Sequence, residues 1–409
     1  MTSRARLRLT VAGTFSVLAL LALGCAGGGG GGGEQKITVG VYGSMTGGDA
    51  TFGQSTKTGF ELALSELQAS QQGMIGGIRI VSVVEDDQGR PEEAATVVQK
   101  LINQDQVACV VGEVASSRSL AAAPICQQNE VPMISPSSTN PKVTQVGDFI
   151  FRMCFLDDFQ GASIARFAAE NLKLKKVAVL KDVKNDYSVA LAQYFTEAFA
   201  RMGGTVVVEQ TYSSGDADFR APLTTIKARN PEAIIVPGYY TEAGLIARQA
   251  RELGLNVPIL GGDGWESEKL IEIGGAAMND CYYTNHWSLD QPQLQPFLTA
   301  YKAKYQSEPD AIAGLAYDAG KVLFASLTKL STDDPAAFKA LATTSTGEPR
   351  KAAERKLRDL IAATRDYAGV TGTITLDANR NASKPIVVIA VKDGKKVFAA
   401  SMEPSASTP

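Results

Sequence analysis

From Lys36 onward, short continuous apolar runs alternate with helical patterns, and that alternation constrains the fold more than any other feature of the chain. Ile37-Thr38-Val39-Gly40-Val41 reads as a strand, followed by a Gly-rich loop and a helical pattern through Phe60-Glu61-Leu62-Ala63-Leu64. Residues 78–84 make the next strand and 91–102 the next helix, with Pro91 suited to a first turn. Cys109-Val110-Val111 and Val131-Pro132-Met133-Ile134 continue the series, with a helix expected near 120–128 between them. Strands that are apolar throughout are buried on both faces, and helices between them imply a parallel sheet covered on both sides.

The series restarts after residue 157. A helix over 162–171 precedes a strand at 177–180, and the alternation runs on through strands at 205–209, 233–236 and 258–260. Helices at 189–202, 219–229 and 243–253 lie between them or follow them. The fold class is therefore α/β, with two doubly wound parallel-sheet lobes in tandem. The tail, with helices near 311–330 and 351–363 and strands near 372–376 and 386–391, must be shared between the lobes. The expected division is 36–157 with 287–368 for the first lobe and 158–286 with 369–403 for the second, joined by a multi-strand hinge.

The beginning of the chain carries an address. Arg4, Arg6 and Arg8 precede an apolar run at 11–23, too short to span a bilayer and basic only on its leading side, so residues 1–24 read as a signal peptide. Leu21-Ala22-Leu23-Gly24 then meets Cys25, which resembles a bacterial lipobox and implies lipidation of Cys25. The alternative is an ordinary secreted protein with a free cysteine near its start. Gly27 to Gly33 adds a flexible tether, assigned to 25–35. The mature protein is expected outside the cytoplasm, in the periplasm or its equivalent, on a membrane anchor.

With 409 residues, 44% hydrophobic and 20% charged, the chain suits two globular domains with cores of their own. A net charge of -3, more acidic once the leader's arginines are removed, offers no footprint for nucleic acid. Cys109, Cys126, Cys154 and Cys281 sit in apolar settings and are expected as buried thiols, with a bridge between Cys109 and Cys126 left open. No CxxC or Cys/His cluster calls for a metal, and no cofactor is expected. The one histidine, His286, lies far from any nucleophile motif, which argues against a hydrolase and for a structural role.

Ligands of open parallel sheets bind beyond the carboxyl ends of the strands. In lobe one those ends lead into Glu113-Val114-Ala115-Ser116-Ser117-Arg118-Ser119 and Ser135-Pro136-Ser137-Ser138-Thr139-Asn140-Pro141. Hydroxyls and backbone N–H groups at a helix start suit an anion, although Ser116 or Ser117 could equally be a plain N-cap. In lobe two the ends lead to Asp182, Asn185 and Tyr187, to Tyr239, Tyr240 and Glu242, and to Asp263 beside Trp265. Asp263 could receive a cation or simply form a turn. Anion donors facing a carboxylate and tyrosines suit a small zwitterion.

Several blocks, in order, resemble the leucine/isoleucine/valine-binding proteins, the substrate-binding components of branched-chain amino-acid ABC transporters. They are Val39-Gly40-Val41-Tyr42-Gly43-Ser44-Met45-Thr46-Gly47, Glu85-Asp86-Asp87-Gln88-Gly89-Arg90-Pro91, the Pro132 to Pro141 block and Asp157-Asp158-Phe159-Gln160-Gly161. Gly369-Val370-Thr371-Gly372 with Leu376-Asp377-Ala378-Asn379 completes the match. The resemblance implies the type I periplasmic-binding-protein fold, a monomer with an amino-acid ligand and a membrane permease as partners, and no enzyme activity. It implies an α-carboxylate held at Ser116 and Thr139, and an α-ammonium held by Asp263 and the Ser137 carbonyl. Tyr187 and Tyr239 would close from the second lobe, with Phe52 and Tyr317 bordering the pocket. Asp263 stands where the best-known members carry Glu, which keeps the charge and shortens the reach. The disulfide of those members would need cysteines at Gly89 and Ala115, so it is missing. Arg118 stands where small hydroxyl residues are usual, and either faces solvent or reads an acidic ligand side chain. A sensor in place of a transport component, a receptor for another carboxylate or amide, and an exported α/β enzyme remain as alternatives.

Overall fold

Strand β1 (Lys36–Gly43) is buried on both faces from Ile37 to its end, the environment of a central parallel strand. The computed structural model describes residues 35–288, 291–343 and 346–404; the expected signal peptide, Cys25 and most of the glycine tether lie outside them. Around β1 run β2 (Met74–Ile75), β3 (Ile78–Asp86), β4 (Cys109–Val111), β5 (Met133–Ser135) and β6 (Ile150–Arg152), in the order β2-β3-β1-β4-β5-β6. Only the short β2–β3 pair is antiparallel. Helices Ala50–Gln71 and Ala311–Asp333 cover one face, and Pro91–Asn103 and Ser116–Asn129 the other. Proline at the first position of helix Pro91–Asn103, with Glu92 and Glu93 in its first turn, suits the positive end of the dipole.

The second sheet holds β7 (Lys176–Asp182), β8 (Thr205–Tyr212), β9 (Ala233–Ile235), β10 (Ile259–Gly261) and β11 (Cys281–Asn285), all parallel. After β11 the chain returns to the first lobe, where Trp287 packs with Leu62 and Phe297. A hairpin, β12 (Tyr367–Gly369) and β13 (Gly372–Ile374), follows. The chain then adds β14 (Ile386–Lys392) and β15 (Lys395–Met402) to the second sheet in antiparallel fashion, giving β15-β14-β11-β10-β9-β7-β8. The lobes are thus linked by three passages of chain, the multi-strand hinge.

One boundary moves. The last passage was expected at 369, but Ile374, Leu376 and Ala382 pack in the first lobe's core. Asp318 holds that stretch by accepting the N–H groups of Val370 at 2.8 Å and Thr371 at 2.9 Å. Arg380 continues it along the edge of β6, donating to the Ile150 carbonyl at 3.1 Å. The crossing falls at Ile386. All four described cysteines are buried and free, so Cys109 and Cys126 are not bridged.

Candidate functional site

The carboxyl end of β4 turns sharply at Gly112, whose φ is 135°. A Cβ there would sit 2.1 Å from the Tyr42 carbonyl oxygen, so only glycine admits the turn. The chain then enters helix Ser116–Asn129, which starts earlier than its apolar pattern suggests and is N-capped by Ala115 with no side-chain bond. Neither Ser116 nor Ser117 is the cap. The Ser116 hydroxyl instead accepts the Asn140 N–H at 3.2 Å, tying this loop to the one after β5. The first N–H groups of a helix have no partner within it and remain available to an anion.

The loop after β5 is over-determined. Ser138 Oγ lies 2.7 Å from Ser119 Oγ and donates to the Glu113 carbonyl at 2.9 Å. Beneath it the fully buried Arg152 donates to the carbonyls of Ser138 and Asn140, the latter at 2.9 Å, and to Asn381 Oδ1 at 2.7 Å. Thr139, buried, accepts the Asp157 N–H at 3.0 Å through its carbonyl. Ser116, Ser137 and Thr139 are therefore brought together by one hydrogen-bonded frame.

The second lobe faces this edge. Asp263 opens the short 3-10 turn after β10, its N–H donating to Gln160 Oε1 at 2.8 Å. One carboxylate oxygen, Oδ2, lies 3.4 Å from Ser137 Oγ, across from the first lobe. The other, Oδ1, is buried without a partner. Tyr187 accepts the Gly264 N–H at 3.1 Å and stacks on Tyr239, with centroids 5.6 Å apart. Burial, with the Asp263 charge beside it, pushes the Tyr187 hydroxyl well up from its ordinary value. Phe52 meets Tyr239 edge-on at 5.3 Å and joins Val114, Ala115, Ile312, Tyr187 and Tyr239 in one apolar cluster spanning both lobes.

Tyr317 is not part of this site. Its hydroxyl donates to Glu66 at 2.7 Å and its ring packs on Phe297 at 5.0 Å, on the outer side of helix Ala311–Asp333. Ile312 borders the cleft instead; five positions along a helix turn a side chain about 140° away. Arg118 meets neither expectation. It is buried, paired with Asp49 and with Glu113 at 3.4 Å, donates to Ser44 Oγ at 2.6 Å, and lies 6.0 Å over the Tyr239 ring. Burial works against its charge, but Glu113 and Asp49 outweigh burial and raise its pKa. With those partners in place it is already satisfied.

His286 was missed. It follows β11, whose carboxyl end obeys the same rule as the other strand ends, and that was the available signal. The imidazole stacks on Phe155 with centroids 4.1 Å apart, and its Nε2 lies 3.1 Å from both Ser137 Oγ and Asp263 Oδ2. Serine, histidine and aspartate so close suggest a hydrolytic triad, but both contacts fall on the same nitrogen. A relay needs the carboxylate on one ring nitrogen and the nucleophile on the other. Nδ1 has no partner. Among the described residues no group of three His, Cys, Asp or Glu could hold a metal.

Two lobes joined by three passages, with polar groups converging from both, describe a ligand cleft. The sequence model of the periplasmic binding proteins matches residues 36–396. The chain belongs to the periplasmic binding protein family. It is 33% identical over 304 residues to Leu/Ile/Val-binding protein homolog 3 of Brucella melitensis, covering 74% of this chain and 81% of that one. The structure of a leucine binding protein from Thermotoga maritima aligns with this binding protein at a TM-score of 0.81 and 38% identity, covering 90% of this chain and 99% of the other. A branched-chain amino acid transporter substrate binding protein from Streptococcus pneumoniae, in complex with isoleucine, aligns at 0.79 and 33% identity, covering 90% of this chain and 99% of its own.

Proposed function

We propose that this binding protein captures an amino acid with an aliphatic side chain outside the cytoplasm and presents it, as a monomer, to an ABC permease. The observation that carries this reading is the carboxylate of Asp263, whose Oδ2 meets Ser137 of the other lobe while its buried Oδ1 has no partner. An unpaired buried carboxylate oxygen is costly, and an α-ammonium would satisfy it. Ser116, Thr139 and the helix start would take the α-carboxylate, and the cluster of Phe52, Val114, Ile312 and Tyr239 would take the side chain. Arg118, satisfied by its own partners, argues against an acidic side chain. Relatives bearing leucine-, isoleucine- and valine-binding names support the same ligand class.

A ligand touching both lobes favours the closed arrangement by its differential affinity, which is the signal a permease can read. The binding role needs no chemical step, and the shared nitrogen of His286 is poorly suited to one. Calorimetry and thermal shift across the amino acids test the reading: one or a few branched-chain ligands should bind 1:1 and raise Tm. Stabilisation should approach about 2.7 kcal/mol at a hundredfold excess over Kd. Turnover of a ligand, or binding only by molecules without an amine, would overturn it. Attachment is part of the reading: Cys25 carries lipid, and Cys25→Ser should leave the membrane fraction or accumulate as precursor.

A further inference from the structure

We propose that His286 is a positioning residue of the ammonium subsite: as a neutral imidazole it donates Nε2–H to Asp263 and leaves Oδ1 for the ligand, and once protonated it competes with the ligand's ammonium for the same carboxylate. The proposal rests on the amino-acid reading of the site. Its basis is geometric. The imidazole is almost wholly buried and clamped against Phe155, and its own N–H on the backbone donates to Asn285 Oδ1 at 2.8 Å. Held there, Nε2 is equidistant, at 3.1 Å, from Ser137 of the first lobe and Asp263 of the second. Those are the two residues assigned to the ammonium. A carboxylate held on one oxygen by a ring that cannot rotate away presents the other oxygen in one direction.

A second positive charge so near is disfavoured in a dry cleft, because charges interact strongly where water is excluded. Imidazolium and ammonium are therefore alternatives, and binding of an amine excludes one proton. Ligands lacking the amine gain nothing from a neutral imidazole, so the subsite discriminates amino acids from plain carboxylates more strongly at neutral than at acid pH. The other ionisable groups facing the pair are Asp157 on helix Asp157–Arg166, Cys154 beyond β6 and Tyr187 on helix Asp186–Arg201, with Arg152 and Lys384 behind Cys154. Asp157 is the rival source of a proton: burial, and then the Asp263 charge, hold its carboxyl well above the usual range, and its Oδ2 has no partner.

Calorimetry from pH 5 to pH 8 with L-leucine and with isocaproate, its analogue without the amine, separates these cases. In the wild type, leucine affinity should fall on acidification by up to about tenfold per pH unit, the limit for one linked proton. Isocaproate affinity should not fall. His286→Gln should bind leucine with a flat profile, and Asp157→Asn should keep the slope. A slope that survives in His286→Gln and vanishes in Asp157→Asn overturns the proposal. Because His286 is the one histidine of the chain, its imidazole NMR signal also tests the pair without ligand. That signal should shift in Asp263→Asn, where the partner of Nε2 changes from a carboxylate to an amide. If neither leucine nor any other aliphatic amino acid binds, the amino-acid reading falls, and an imidazole signal unmoved by Asp263→Asn overturns the positioning role as well.

Discussion

Ser117 and Asp186 hold each other twice across the cleft: the serine hydroxyl donates to Asp186 Oδ2 at 2.9 Å and accepts the Asp186 N–H at 2.9 Å. Ser117 lies in the first turn of the helix beyond β4 and Asp186 begins the first helix beyond β7, so the pair joins the two lobes at similar places. Asn140, donating to the Asp186 carbonyl at 3.0 Å, extends the same contact. Bonds that join the two lobes in this way favour the closed arrangement. Removing them should change closure and not ligand contacts. Ser117→Ala should weaken ligand affinity by roughly threefold to tenfold, since an exposed hydrogen bond contributes about 0.5–1.5 kcal/mol. The loss should appear as faster ligand release with an unchanged Tm of the free protein, read by stopped-flow dissociation and thermal unfolding.

Asp263 carries the larger share of binding. Asp263→Ala should weaken amino-acid affinity by at least about tenfold, because a hydrogen bond to a charged group contributes roughly 1.5–3 kcal/mol. Ser116→Ala should lose less, since the N–H groups of the helix start remain. Calorimetry with the best ligand decides the ranking. Equal losses in the two variants would mean the carboxylate and ammonium ends are not divided between the lobes as argued.

Arg118 should matter to the fold as much as to the ligand. Replacing it with serine strands the carboxylates of Glu113 and Asp49, and breaking a buried ion pair from one side costs about 3–5 kcal/mol. Arg118→Ser should therefore lower Tm by many degrees in the absence of any ligand. Chemical denaturation of the ligand-free variant checks this, and wild-type stability would show that the pairs contribute nothing.

Asp87 imposes a pH dependence of its own. Burial, with the Glu113 charge close by, pushes its carboxyl up to about 8 in the folded protein. Since the folded value exceeds the unfolded one, the folded state binds more protons between roughly pH 4 and pH 8. Its contribution to stability is fully present below about pH 4 and is lost as pH rises toward 8. Asp87→Asn keeps an acceptor for the Gly89 N–H, now at 2.9 Å, while removing the charge. That variant should be more stable than the wild type at pH 8 by about 1–3 kcal/mol, with little difference at pH 4. Thermal unfolding of both proteins across that window provides the measurement.

Periodicity is local, so the layered architecture was legible in the sequence alone. Ile37, Val39 and Val41 mark a doubly buried strand whatever lies around them, and the reset after residue 157 marks a second sheet. The strand-end rule then located Ser116, Ser137, Thr139, Tyr187, Tyr239 and Asp263, because in a parallel sheet every crossover delivers its loop to the same edge. The expectation of an export signal before residue 25 likewise comes from the sequence alone, since those residues lie outside the described ones. What only the tertiary structure decided depends on side-chain direction and on contacts between distant residues. Tyr317 lay on the right helix but on the wrong side of it. Arg118 could be weighed only after Asp49 and Glu113 were seen to saturate it, and the last crossing moved to Ile386 because Asp318 captures the backbone at Thr371. His286 entered the site through Ser137, 149 positions away in the chain, and Asp263, 23 positions away. The end of β11 could have pointed to His286, but its meeting with those two residues exists only once two sheets have folded and their edges face one another.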